Sequence, residues 1–315
     1  MKSTYKRIQV QPTSGHIGAE ISGVDLSRPL DAETLAEIKR AWYAHLVLFF
    51  RDQHITPAII ETLAGHFGEK TVTSYTNTIP GYKFAHALVR EAQVPAGARN
   101  FGDMWHMDQT VRPIPNAGFL LYSVQCPPYG GDTGFSSMYA AYEGLSDGMQ
   151  RLCESLIAVH SPSGVYGSDG SGSAGKRPFR LEGTDKTYSI SDEQMLAYMR
   201  QETEHPLVAI HPETGRKLIM ITGYVIRFKD MTEKESRPLI DYLMQHVVNQ
   251  DYTTRLRWKQ GTLTLIDNRC LQHVAYQDYS GHRREMLRAE FAATEPPFGP
   301  ARPRSAARAA EPVLA

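Results

Sequence analysis

Trp105-His106-Met107-Asp108 and a distant His273 are the residues in this chain best suited to chemistry. On an extended segment, residues i and i+2 project from the same face, so His106 and Asp108 can both reach one metal ion. Histidine supplies a neutral nitrogen and aspartate a hard anionic oxygen. With a second histidine they make the 2-His-1-carboxylate set of a non-haem Fe(II) site, which leaves positions open for a co-substrate and O2. Alone, a His-x-Asp pair is equally a feature of a surface loop, and His273 is one of 12 histidines. Other residues narrow the choice. Arg284 and Arg288 follow His273, and on a strand they share a face. A guanidinium fork grips a carboxylate through two parallel charge-assisted hydrogen bonds. One arginine suits the distal carboxylate of 2-oxoglutarate, and the other an acidic group on a substrate; the alternative is a pair of solvated surface charges. In Gly130-Gly131-Asp132-Thr133 the glycines permit a tight path, and the threonine hydroxyl can bond the carboxylate that Arg284 holds, although the same residues also fit a hairpin turn. Together these groups point to an Fe(II)- and 2-oxoglutarate-dependent oxygenase.

The elements that must position them read as a mixture of α and β. Short strands are predicted at 8–10, within 17–24, at 46–50, 118–124 and 157–160, and late in the chain at 252–258, 262–266 and 285–292. Asp31 is a suitable N-cap for a helix through Leu35, Ile38 and Trp42, and Thr56 opens a second through Ile60 and Phe67. Further helices fit 137–145, 147–156 and 232–248. Residues 206–210 and 217–221 form a predicted hairpin around Pro212-Glu213-Thr214-Gly215. Residues 71–104 read as a long irregular stretch, expected to be a lid, and the Gly/Ser-rich 161–175 as a second one. His273 is placed on the connection that follows the strand at 262–266.

The 315 residues carry zero formal net charge and 41% hydrophobic residues, enough for a sizeable core. Such a balance gives no electrostatic reason to expect nucleic acid or a membrane surface as partner. Three scattered cysteines form neither a disulfide framework nor a zinc motif. No signal segment or apolar run of spanning length is present, so a soluble cytoplasmic protein is expected. A metal site joining residues 106 and 273 requires those segments to share one core. That argues for a single domain over 1–294, with 295–315 as a loose C-terminal extension. A homo-oligomer is compatible with the sequence, but no interface is readable in it.

Over roughly Ile8 to Ala293 the chain resembles the TauD/TfdA family, the taurine dioxygenase-like Fe(II)/2-oxoglutarate oxygenases. The resemblance rests on Gly18-Ala19-Glu20-Ile21-Ser22-Gly23-Val24-Asp25-Leu26, Trp105 to Asp108, Gly130 to Thr133, His205-Pro206-Leu207-Val208 with His211-Pro212, and Asp267-Asn268-Arg269 ahead of His273. It implies an α+β fold with a double-stranded β-helix (jelly-roll) core flanked by helices. It also implies iron on His106, Asp108 and His273, 2-oxoglutarate on Thr133 and Arg284, and Arg288 facing the substrate anion or sharing in 2-oxoglutarate binding. The family reaction oxidises 2-oxoglutarate to succinate and CO2 with O2 and hydroxylates a substrate C–H. A hydroxyl placed beside an O, N or S leaving group then collapses with bond cleavage. Asp108 speaks against the related halogenases, which lack this carboxylate.

The resemblance also orders the substrates. Taurine-specific members carry a histidine after the second helix and an asparagine before the metal pair. Here those regions read Thr71-Val72-Thr73-Ser74-Tyr75 and Gly102-Asp103-Met104, which disfavours taurine. Gly134 to Tyr139, His160-Ser161 and Val165 to Ser168 look more like the aryloxyalkanoate dioxygenases. An aryloxyalkanoate-type carboxylate is therefore the first expectation, and an alkyl or aryl sulfonate or sulfate ester the second. Val72, Tyr75, Met107, Gln109, Val165, Tyr166 and Tyr224 are the expected pocket lining, with core packing as the alternative for each. A non-catalytic metal- and ligand-binding jelly roll, or a Zn2+ hydrolase on the same triad, belongs to other functional classes.

Overall fold

The structure is a computed structural model that describes residues 5–72, 78–94, 102–166, 197 and 199–309. Its strands are β1 (Gln9–Pro12), β2 (Ala19–Ser22), β3 (Val47–Phe50), β4 (Lys70–Thr71), β5 (His86–Arg90), β6 (Asn116–Gln125), β7 (Thr133–Ser137) and β8 (Ile157–His160). They continue with β9 (Thr203–Pro206), β10 (Val208–Ile210), β11 (Lys217–Ile219), β12 (Val225–Phe228), β13 (Thr253–Leu256), β14 (Leu263–Asp267), β15 (Leu271–Ala275) and β16 (Arg284–Ala292). The helices are α1 (Ala32–His45), α2 (Pro57–Gly65), α3 (Met138–Glu143), α4 (Asp147–Glu154), α5 (Ser163–Tyr166), α6 (Glu233–Val247) and α7 (Arg304–Ala309).

Strands from both ends of the chain interleave in one large sheet, in the order β1-β2-β3-β14-β6-β16-β4, with β5 also paired to β16. Smaller sheets, β13-β7-β15 and β12-β8-β9, and the hairpin β10-β11 complete the jelly roll. The pleat of the large sheet separates two cores. On one face Leu48, Phe50, Leu120, Tyr122, Leu265 and Leu287 pack with Ile38 and Trp42 of α1 and Ile60 and Leu63 of α2. On the other, Phe49, Phe119, Leu121, Ile266 and Met286 meet Phe135, Leu256 and Leu271 of the smaller sheet. Alternation of side chains along each strand produces this division. Along β16 it sends Leu287, Ala289 and Phe291 to the helical layer. Arg284, Met286, Arg288 and Glu290, of the opposite parity, face the interior of the roll.

Asp31 caps α1 by accepting from Thr34 N at 2.7 Å, and Thr56 caps α2, with Pro57 in the first turn. Both starts follow the sequence reading, as does the hairpin in which Val208 opposes Ile219. The α6 helix adds a capping box between Thr232 and Glu235.

Several expectations are revised. Residues 71–104 are not uniformly irregular, because His86–Arg90 form β5 against the full front half of β16. Of the second expected lid, Ser163–Tyr166 form one helical turn, and 167–175 lie outside the described residues. His273 is within β15 rather than on a connection. His106 is not part of a regular strand: it makes an isolated bridge to His273, and Asp108 already lies in the turn that follows. Within the expected C-terminal extension, 295–315, the described residues 295–309 make several contacts with the rest of the chain and with one another. Ile210 N donates to Phe298 O at 2.8 Å, the Arg304 side chain pairs with buried Glu295, and Arg302 Nη1 donates to Glu204 O at 2.6 Å.

Candidate active site

His106, Asp108 and His273 converge. Their ligand atoms lie within 4.8 Å of one another, and all three side chains are buried. The backbones of His106 and His273 bond each other twice, which brings the two rings to a centroid separation of 4.2 Å. Asp108 Oδ1 sits 3.2 Å from His106 Nε2 and 3.9 Å from His273 Nε2. His106 Nδ1 lies 2.7 Å from Met104 O, a contact that only a protonated Nδ1 can make. Its Nε2 lone pair is thereby left toward Asp108, as metal-bound histidines require. Burial, reinforced by neighbouring His106, pushes the His273 imidazole down to about 3, so it stays neutral and able to ligate. Burial alone would raise the Asp108 carboxyl. The Arg288 guanidinium, helped by the two histidines, overrides that and holds it well below the usual carboxylate range. Two imidazole nitrogens and one ionised carboxylate oxygen, facing each other, fit a divalent transition metal.

The turn that carries Asp108 is fixed by Asn268. Its Oδ1 accepts from Asp108 N at 2.8 Å, and its Nδ2 donates to Asp108 O at 2.9 Å. Arg288 Nη2 donates to Asp108 Oδ2, and its guanidinium lies 3.8 Å from the centroid of Phe119. The Phe119 ring is also 5.4 Å from that of His273, so one buried aromatic seats both groups.

Thr133 and Arg284 meet at Trp258. Trp258 Nε1 donates to Thr133 Oγ1 at 2.9 Å, and the Arg284 guanidinium stands 5.7 Å from the Trp258 ring. Thr133 accepts there, so its own hydroxyl hydrogen remains to be donated. Arg284 Nε is buried with no hydrogen-bond partner among the described residues, and burial lowers the guanidinium pKa. A buried cation with an unmet donor beside a hydroxyl is suited to an incoming carboxylate. Gly130 and Gly131, at φ of 68° and 67°, lead the chain into Thr133. A Cβ on Gly130 would lie 2.6 Å from Asp278 O.

The expected substrate residues are more scattered. Tyr224 and Val165 do pack together, with Val111 and Met104. Met104 carries the carbonyl that holds His106, so this apolar cluster adjoins the candidate metal site at His106. Gln109 is instead committed inward: its Nε2 donates to Glu290 at 2.8 Å, and its Oε1 accepts from Arg112 at 2.8 Å. Met107 turns into a separate cleft with Ile210, Met220 and Phe298. Val72 is exposed at the end of β4, apart from the Tyr224 cluster. Tyr75 and the side chain of Tyr166 lie outside the described residues. Arg288, expected to face a substrate anion, is bonded to Asp108 and Glu290.

His211, Asp267 and Cys270 also converge, but their polar atoms are spoken for. Asp267 takes three bonds from Arg269, one of them from its main chain, and one from His211 Nε2, while His211 Nδ1 accepts from Glu213 N and Thr214 N. Sequence reasoning missed Asn116, Phe119, Trp258 and Glu290 as parts of the site. Only Trp258 carried a local signal, since a buried indole N–H needs an acceptor.

Residues 9–289 match the Taurine catabolism dioxygenase TauD, TfdA family. The chain is 33% identical to an alpha-ketoglutarate-dependent sulfate ester dioxygenase of Pseudomonas putida, over 92% of this chain and 91% of that protein. It is 32% identical to an alkylsulfatase of Acinetobacter baylyi, over 93% and 87%. A (S)-phenoxypropionate/alpha-ketoglutarate-dioxygenase of Sphingobium herbicidovorans is 30% identical over 84% and 88%. Among solved structures, a taurine dioxygenase from Burkholderia xenovorans superposes with a TM-score of 0.75 at 28% identity, covering 97% of this chain and 100% of that one. AAD-2 in complex with Mn(II) and N-oxalylglycine gives 0.72 at 27% identity, covering 92% and 98%. The chain thus belongs to the TauD/TfdA family and is an Fe(II)- and 2-oxoglutarate-dependent dioxygenase.

Proposed function

We propose that the substrate is a small organic anion with an apolar body, and that an alkyl sulfate ester is its leading form. The observation that carries this reading is the apolar cluster of Met104, Val111, Val165 and Tyr224, which reaches the metal ligands through Met104. An alkyl chain resting there presents a C–H to the site, and the Arg288 guanidinium, which also bonds Asp108 and Glu290, is assigned to the anionic end. His106, Asp108 and His273 hold the iron, which supplies O2 activation when bound. Thr133 and Arg284 bind the distal carboxylate of 2-oxoglutarate. Hydroxylation of the carbon bearing the ester oxygen gives a hemiacetal-type sulfate. Its collapse breaks the C–O bond to release an aldehyde and sulfate, with succinate and CO2 from the co-substrate.

The two sulfate-ester relatives support this reading, and the phenoxypropionate relative supports a second one. In that one an aryloxyalkanoate lays its ring against Tyr224 and is cleaved to a phenol and a 2-oxo acid. No helix among the described residues is long and apolar enough to cross a membrane, and the three free cysteines suit a cytoplasmic setting. Succinate formation with Fe(II), 2-oxoglutarate and O2 is the test, run with alkyl sulfates, alkanesulfonates, phenoxyalkanoates and their neutral analogues. Sulfate release equal to succinate formed is expected for a medium-chain alkyl sulfate. Stimulation by phenoxyalkanoates alone would replace the first reading with the second, and stimulation by neutral analogues alone would remove both.

A further inference from the structure

Three separate restraints on Asp108 run to one buried side chain, Glu290. Arg288 holds Asp108 Oδ2 and donates Nε to Glu290 Oε1 at 2.8 Å. Gln109, the residue after the ligand, donates Nε2 to Glu290 Oε2 at 2.8 Å from a backbone at φ 57°. Asn116 Nδ2 donates to the same oxygen at 3.0 Å. The carbonyl and Oδ1 of Asn116 in turn accept from Asn268 Nδ2 at 3.1 and 3.3 Å, and Asn268 is the residue that brackets the Asp108 main chain.

Glu290 is completely buried, at 0% exposure. Every group facing it through these contacts is an N–H donor, the set that suits an ionised carboxylate, which accepts at both oxygens and donates at neither. Burial raises its pKa, and the Asp108 charge adds to the rise that Arg288 and the hydrogen bonds from Arg288 and Gln109 oppose. An isolated buried carboxylate is costly, so its charge and the Arg288 charge stabilise one another only while the geometry is kept.

We infer that Glu290 is a positioning residue of the metal centre, which fixes Arg288, Gln109 and Asn116 so that Asp108 offers the metal Oδ1 alone. The oxygen that faces both histidines is Oδ1, and Oδ2 is the one Arg288 holds. A carboxylate released to bind through both oxygens would fill a further position, one that 2-oxoglutarate or O2 needs. Glu290 acts through its neighbours and touches neither metal nor substrate.

The test compares Mn(II) affinity, by isothermal titration calorimetry, and the ligand-field absorption of Co(II) in three proteins: wild type, Glu290→Gln and the double variant Glu290→Gln/Gln109→Glu. Glu290→Gln turns an amide N–H2 toward existing donors. It is expected to weaken Mn(II) binding by about 10- to 100-fold, the usual effect of losing an outer-shell partner, and to alter the Co(II) spectrum. The double variant exchanges acid and amide across one hydrogen bond, keeps the net charge, and gives Arg112 a carboxylate partner. It is expected to recover most of the lost affinity and the wild-type spectrum. Wild-type affinity and spectrum in Glu290→Gln would overturn the inference, as would a double variant no better than the single one. Should Glu290→Gln fail to fold, Gln109→Leu removes one of the three donors without burying a charge. A several-fold loss of Mn(II) affinity there supports the inference, and unchanged affinity overturns it.

Discussion

His106 and His273 are bound to each other through their main chains, His106 N to His273 O at 3.1 Å and His273 N to His106 O at 2.9 Å. Because the bridge uses no side-chain atom, either imidazole can be removed without undoing it. His106→Ala and His273→Ala are therefore expected to stay folded while losing stoichiometric iron. Elemental analysis after anaerobic loading should fall to background, and 2-oxoglutarate-dependent succinate formation should disappear. A variant that retained full iron content would remove that histidine from the ligand set.

Arg284→Lys keeps the positive charge but not the fork. Loss of one charge-assisted hydrogen bond is worth about 1.5–3 kcal/mol, or roughly 10- to 100-fold in affinity. The KM for 2-oxoglutarate is expected to rise by that factor, with a much smaller change in the KM for the organic substrate. Trp258→Phe retains a ring near Arg284 and deletes the bond to Thr133, so its effect on the same constant should be smaller. Steady-state kinetics with each substrate varied in turn distinguish these outcomes.

Asn268→Ala removes two hydrogen bonds to the Asp108 main chain and leaves a buried N–H and C=O unpaired. The cost is about 2–4 kcal/mol, visible as a lower Tm by calorimetry. Activity measured well below that Tm should still fall, because the turn that aims Asp108 loses its brace. Wild-type turnover in the folded variant would show that other contacts are enough to hold the turn.

Much of this site was legible because its chemistry is written in residue types at short spacing. His106 and Asp108 are two apart, Gly130 to Thr133 are contiguous, and the two arginines sit on one strand face. What supports them was not, because the partners are remote: Glu290 bonds Gln109 across 181 positions, and Asn268 bonds Asp108 across 160. In β16 the alternation of apolar and charged residues ordinarily signals a solvent-facing side, yet here the charged side faces the roll and the apolar side is covered by helices. β7 carries little strand signal for a different reason: Thr133-Gly134-Phe135-Ser136-Ser137 is mostly small and polar, with few of the β-branched and aromatic residues that mark a strand. Only its pairing with both β13 and β15 makes it one.

Acid should destabilise the protein before its carboxylates titrate. His160 and His205 are buried with ring centroids 5.1 Å apart, and burial lowers both pKa values, that of His205 to about 4. A folded pKa below the unfolded value means that the unfolded chain takes up the proton first. Stability is then full above about pH 6.5 and falls as pH drops toward the folded pKa, by about 3 kcal/mol for His205 alone. His205→Gln, whose amide can still donate to Thr110 O, is expected to flatten the Tm profile between pH 6.5 and 4. An unchanged slope would assign the acid sensitivity to other groups.

The bridge between residues 106 and 273 also has a meaning in polymer terms. The ligands come from chain segments far apart in sequence, so an ion bound between them acts as a reversible cross-link that closes a very long loop. Binding to the folded state but not to the separated segments stabilises the fold in proportion to the logarithm of free metal. The melting temperature then becomes a titratable quantity. A chelator loosens the connection between the two halves of the roll, and scarcity of metal in the cell is felt as a shortage of folded protein as well as of turnover.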